Sequence, residues 1–252
     1  MTRLFLTAAL FLGAPALAQD LDMPVLSPHA SVMQQIGVAE VTVDYYSPEK
    51  KGREIFGKLV PYGEMWRTGA NSGTQLTSSK DFKLGGKDVK AGTYMVFTIP
   101  GEDTWTVVLN SDLKARPWAY DEKLDVVRFD VKPEKGPGRE RLTFLFTDTT
   151  DRSAKLNLEW AGVRVVLPVE LDTVGLVNAA IDAYSGNDTR KLADAGKFRG
   201  ENGDLEGGLA LVEKSLAVEE TWYATFVKAE LLKKKGDAKG AYKAAKKALD
   251  LG

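Results

Sequence analysis

The sequence predicts a mainly β protein, an antiparallel sandwich, followed by a smaller α-helical, tetratricopeptide-like C-terminal region. Three observations carry this reading. Between Glu40 and Glu170, short runs alternate apolar and polar residues. Glycine-rich turns, and no helical period, separate those runs. After Asp172 the apolar spacing becomes helical. The chain therefore divides into residues 1–18 (a leader), 19–172 (the sandwich) and 173–252 (the helical region).

The leader is read from Arg3, the apolar run Leu4 to Leu12, and Ala16-Leu17-Ala18 before Gln19, the order of a cleaved secretory signal peptide. A periplasmic or secreted location is expected, with no membrane span, because no run reaches the roughly 18 apolar residues that crossing requires. The chain has no cysteine. That removes disulfides, thiol nucleophiles, cysteine metal sites and a lipid-attachment cysteine. A mature chain of about 230 residues can bury enough surface to fold on its core alone. A net charge of −1 gives no general attraction for nucleic acid or an anionic membrane.

Along the sandwich, Val41, Val43 and Tyr45 alternate with Thr42, Asp44 and Tyr46. Trp105, Val107 and Leu109 do the same, as do Leu142, Phe144 and Phe146, and Leu156, Leu158 and Trp160. Val163 to Val169 forms a last strand after the turn Ala161-Gly162. Gly85-Gly86, Gly101-Glu102-Asp103 and Gly136-Pro137-Gly138 are turn signals. Tyr94 and Phe97 fall on opposite strand faces, Phe97 in the core.

The helical region reads as Val174 to Tyr184, a helix from about Thr189, then Leu205 to Val218, Thr221 to Lys235 and Ala238 to Leu251. Gly203-Asp204, Gly207, Lys214 and Leu216 return as Gly236-Asp237, Gly240, Lys247 and Leu249, close to the tetratricopeptide period. Two functions fit: a cap packed on the sandwich, or a groove for a partner peptide. The excess of lysine in this tail suits an acidic partner or a solvated face.

The segment from Lys51-Gly52-Arg53 to Trp66-Arg67-Thr68-Gly69-Ala70-Asn71 has no helical or strand period and crowds aromatic, basic and glycine residues together. It is expected to be a built loop, with Gly69 supplying a turn that other residues resist. Trp66, Arg67, Asn71, Tyr62 and Arg53 are its candidate ligand-binding residues: an arginine fork and an amide recognise carboxylates or sugar hydroxyls, while an aromatic ring stacks on the ligand. The alternative is architectural, with Arg67 satisfying loop carbonyls, Trp66 plugging the core and Asn71 closing the turn.

Gly52-Arg53-Glu54-Ile55-Phe56-Gly57, Leu59-Val60-Pro61-Tyr62-Gly63, Trp66 to Asn71, Ala91-Gly92-Thr93-Tyr94 and Phe97-Thr98-Ile99-Pro100-Gly101 resemble, in order and spacing, the bacterial family of domain of unknown function 2911 (DUF2911). The resemblance covers most of residues 25 to 170. It implies an exported β-rich protein and assigns no catalytic residue.

His29 is the only histidine, so a histidine triad or multi-histidine metal site cannot be built within one chain. Asp148-Thr149-Thr150-Asp151 and Glu201-Asn202-Gly203-Asp204 lack the ligand order of a calcium loop and read as turns. No cofactor or metal is expected. The leading expectation is a non-enzymatic envelope protein that binds a small polar ligand, glycan or protein partner. One alternative is a cofactor-free polysaccharide hydrolase using Asp44 and Glu64, which requires both carboxylates in one cleft. Another is a scaffold or assembly protein acting through the helical region.

Overall fold

The computed structural model describes residues 23–252; the proposed leader, residues 1–18, lies outside them. Two antiparallel sheets face each other. The first runs β1 (His29–Ile36), β2 (Ala39–Tyr46), β3 (Thr74–Ser78), β6 (Gly92–Ile99), β7 (Trp105–Asn110) and β8 (Asp125–Val131). The second runs β10 (Thr143–Thr147), β11 (Ser153–Trp160), β12 (Val163–Glu170), β4 (Phe82–Leu84) and β5 (Lys87–Val89), with the short β9 (Glu134–Lys135) beside β12.

The alternation read in the sequence sets the core. Val41, Val43 and Tyr45 of β2 point inward, as do Trp105, Val107 and Leu109 of β7. They meet Leu156, Leu158 and Trp160 of β11 and Val165, Leu167 and Val169 of β12. The Tyr45 hydroxyl crosses the interior to accept a hydrogen bond from the Phe144 backbone amide at 3.2 Å. Strand β6 is apolar on both faces. Tyr94 and Val96 enter the main core, while Met95 and Phe97 pack outward against Val108 and Ala115 under the segment joining β7 to β8.

The last strand ends at Glu170, and Asp172 caps the first helix, α1 (Thr173–Ala183), by accepting from the Gly175 amide. Then come α2 (Thr189–Glu201), α3 (Leu205–Val218), α4 (Trp222–Lys235) and α5 (Ala238–Leu251). Leu176 packs on the sandwich core, and Arg152 donates to Asn202 at 2.6 Å, tying the helices to the sandwich. The recurring Gly-Asp pairs are helix boundaries: Asp204 and Asp237 accept from the Gly207 and Gly240 amides at the starts of α3 and α5. No helix among the described residues is long and apolar enough to cross a membrane.

Candidate functional site

Residues 47–73, between β2 and β3, form a strap across one end of the sandwich. Its first part is fastened to the second sheet: the Leu142 amide donates to the Pro48 carbonyl at 3.0 Å and the Lys50 amide to the Glu140 carbonyl at 2.7 Å. Its last part is fastened to the first sheet, where Trp66 and Thr98 exchange both backbone hydrogen bonds, at 2.8 and 2.9 Å. Between them Ile55, Phe56 and Val60 are buried in the main core and close the end of the sandwich.

Trp66 enters an aromatic cluster. It stacks on Trp160, meets Phe56 and Trp105 edge-on, and donates from Nε1 to the Gly69 carbonyl at 3.1 Å. Its outer surface, with Trp160, forms one wall of a cavity of about 430 Å³. Arg67, Arg53, Lys51, Glu49 and Pro117 contribute to the other walls, together with Leu26 and Ser27.

The two arginines differ in what holds them. Arg53 donates from Nε to the Lys50 carbonyl at 2.9 Å and from Nη2 to the Glu49 carbonyl at 2.5 Å. It is therefore the arginine that satisfies loop carbonyls, the role considered above for Arg67. Among the described residues the buried Nε of Arg67 has no hydrogen-bond partner. Glu49, the one acid in the wall, is already engaged, with Arg141 at 3.1 Å and Lys51 at 3.7 Å. The cavity thus presents three cations, Lys51, Arg53 and Arg67, against one neutralised anion.

The strap backbone is held in an uncommon form around this site. Lys51, Thr68 and Asn71 have φ of 49°, 55° and 52°. The left-handed region is especially unfavourable for a β-branched residue such as Thr68. Thr68 is fully buried and fixed from two sides: its carbonyl accepts from Thr74 Oγ1 at 2.7 Å, and its hydroxyl lies 3.1 Å from that of Thr98. Gly69 does not supply the left-handed turn expected of it. A β-carbon there would lie 3.0 Å from Thr74 Oγ1, so this glycine serves close packing.

Trp66, Arg67 and Arg53 thus meet at the cavity, and Tyr62 and Asn71 lie outside its walls. Tyr62 is 41 % exposed and covers Gly57. Asn71 is exposed and donates to the Ser27 carbonyl at 3.3 Å. Asp44 and Glu64 do not line this cavity either. Asp44 leaves the outer face of β2 and lies 3.5 Å from His29, and Glu64 is in an exposed turn. The reading of the sequence missed Glu49, Trp160 and Leu26. Leu26 and Trp160 lie far along the chain from Trp66, and Glu49 stands just ahead of the segment with no spacing that marks it.

A second charged centre supports the wall. Glu159, 1 % exposed, is paired by Arg139 and by Arg164, whose Nε donates at 2.6 Å. Burial pushes the Glu159 carboxyl up, but the hydrogen bonds from Arg139 and Arg164 outweigh it and hold it below the usual carboxylate range. The neighbouring Glu140 binds the Lys51 amide at 2.6 Å through its side chain and Trp160 Nε1 at 3.2 Å through its carbonyl. Glu140 thereby holds Lys51 and Trp160, two residues that line the cavity.

Searches of curated proteins and of solved structures find no match to this chain. Residues 27–169, which span the sandwich and its strap, match the family described as "Protein of unknown function (DUF2911)", and the chain belongs to that family.

Proposed function

We propose that this is a non-enzymatic envelope protein that binds a small polar ligand carrying a carboxylate in the cavity beside Arg67. The observation that carries this reading is the partially buried guanidinium of Arg67, whose Nε has no acceptor among the described residues. An unpartnered buried donor costs stability and persists where the side chain serves a site; Arg67 lines the cavity, and a carboxylate there matches the fork of an arginine in two parallel bonds. Arg53 and Lys51 add positive potential, and the exposed edge of Trp66 against Trp160 offers an apolar surface to the body of the ligand. The left-handed backbone at Thr68, next to Arg67, is the kind of local strain that persists where a side chain must be aimed. Export to the periplasm or beyond belongs to the same proposal and rests on the leader pattern of residues 1–18.

The test is a fluorescence titration of the folded protein with acetate, dicarboxylates, uronic acids and neutral sugars, following tryptophan emission, to which Trp66 and Trp160 at the cavity contribute. A saturable response to carboxylates, lost in Arg67→Ala and absent with neutral sugars, supports the proposal. A response to neutral sugars that survives Arg67→Ala would sink it.

A further inference from the structure

The helices α2 to α5 form two hairpins, α2/α3 and α4/α5, whose elements are offset by thirty-three positions. In the first hairpin the groove is filled by α4. Val227 and Leu231 of α4 pack against Leu209 and Val212 of α3. Three ion pairs fix the seating: Lys228 with Glu213 and Lys235 with Glu206 of α3, each at 2.6 Å, and Glu230 with Lys197 of α2 at 3.1 Å.

The same groove recurs between α4 and α5, lined by Phe226, Ala229, Ala241, Tyr242 and Ala245. These are the counterparts of Ala193, Gly196, Gly208, Leu209 and Val212, all buried in the first hairpin. In the second hairpin Phe226 is 41 % and Tyr242 74 % exposed. The rim has changed sign: Lys239 and Lys246 stand where the first groove has Glu206 and Glu213. Neither lysine has a carboxylate partner among the described residues, whereas both of those glutamates are paired.

We propose that the α4/α5 groove receives an amphipathic helix of a partner protein, seated as α4 is seated on α2/α3. That helix carries two acidic residues seven positions apart, where α4 carries Lys228 and Lys235. The apolar floor selects a helix by shape, and the reversed rim selects its charge. A basic helix like α4 would bring lysine onto lysine, which disfavours a second copy of this chain as the occupant.

The full-length protein is titrated with two helix-stapled peptides of residues 219–235, one of native sequence and one carrying Lys228→Glu and Lys235→Glu. Binding is followed by NMR chemical-shift mapping, which registers even millimolar affinity. The acidic peptide is expected to bind about tenfold more tightly than the native one, with shifts on α4 and α5. The protein variant Lys239→Glu/Lys246→Glu, altered only at exposed positions, is expected to exchange that preference. Equal affinity for the two peptides, no binding by either, or shifts confined to the sandwich overturns the proposal. So does self-association of the unmodified protein that this variant abolishes, which would assign the groove to a second copy.

Discussion

Trp66 lies nearly parallel to Trp160, with ring centroids 6.0 Å apart and ring planes 21° apart. The strap is thereby stacked on the last residue of β11, adjacent to the buried Glu159. Three structural devices converge at this point: the aromatic cluster, the ion triad and the left-handed turn at Thr68. Together they hold Arg67 against the cavity without a protein acceptor for its Nε.

Replacing Arg67 separates a binding role from an architectural one. Arg67→Met keeps the packing stem and removes a buried donor that has no partner. Stability is expected to stay level or rise, by up to about 2 kcal/mol, because the desolvation cost disappears. Chemical denaturation measures it. A marked loss of stability would mean that Arg67 is part of the architecture.

Asn71 and Tyr62 are expected to be dispensable for ligand capture. Asn71→Gly suits φ of 52° and should change stability by less than about 0.5 kcal/mol, whereas Asn71→Ala should cost about 1 kcal/mol. Neither Asn71→Gly nor Tyr62→Ala should shift the carboxylate titration midpoint. A loss of binding in either would extend the site beyond the cavity described above.

Acid should unfasten the wall through Glu159. Its carboxyl ionises below the ordinary value of 4.5 in the folded protein, so the ion triad contributes fully above that value and is lost as pH falls through the lowered one. Glu159→Ala leaves Arg139 and Arg164, both more than a third exposed, without their shared acceptor and is expected to cost about 1–2 kcal/mol near neutral pH. Thermal melts from pH 7 to pH 3 should show a shallower decline for the variant than for the native protein. Parallel declines would remove Glu159 from the acid response.

In the helical region, Gly196 sets how closely α2 approaches α3. A β-carbon there would lie 2.7 Å from the Gly208 carbonyl oxygen and 2.6 Å from Val212 Cγ2. Gly196→Ala should therefore destabilise the helices by about 2 kcal/mol despite its better helix propensity, because a backbone atom cannot swing aside. Hydrogen exchange should show faster opening of α2 and α3 with β11 unaffected. Unchanged protection would mean that the hairpin tolerates a wider spacing.

The sandwich was legible because its strands bury one face. Val41, Val43 and Tyr45 declare their direction by alternation alone, and helix caps such as Asp204 and Asp237 mark their boundaries by residue type. Strand β1 was not, since before the buried Ile36 its residues alternate only between partial burial and exposure at a sheet edge. The cavity was partly legible: Trp66, Arg67 and Arg53 are close in sequence, but Trp160 and Leu26 join them only through tertiary closure, and Glu49, local to Arg53, carries no residue-type signal of its own. The left-handed turn was assigned to Gly69 on residue type, whereas Thr68 adopts it because Thr74 and Thr98 hold its carbonyl and hydroxyl. That override comes from tertiary contacts and leaves no local signature.

The fastening of the strap also bears on the speed of folding. Its bonds to the segment before β10 join residues 89 to 95 positions apart: Lys51 with Glu140, Glu49 with Arg141, and Ser47 with Leu142. Contacts so distant along the chain form only after the entropy of a long closure has been overcome, which slows folding. The strands from β3 to β9 must be gathered before the strap can lock. Completion of the end cavity should therefore coincide with the slowest phase of refolding, and Trp66 stacking on Trp160 would be its optical signal.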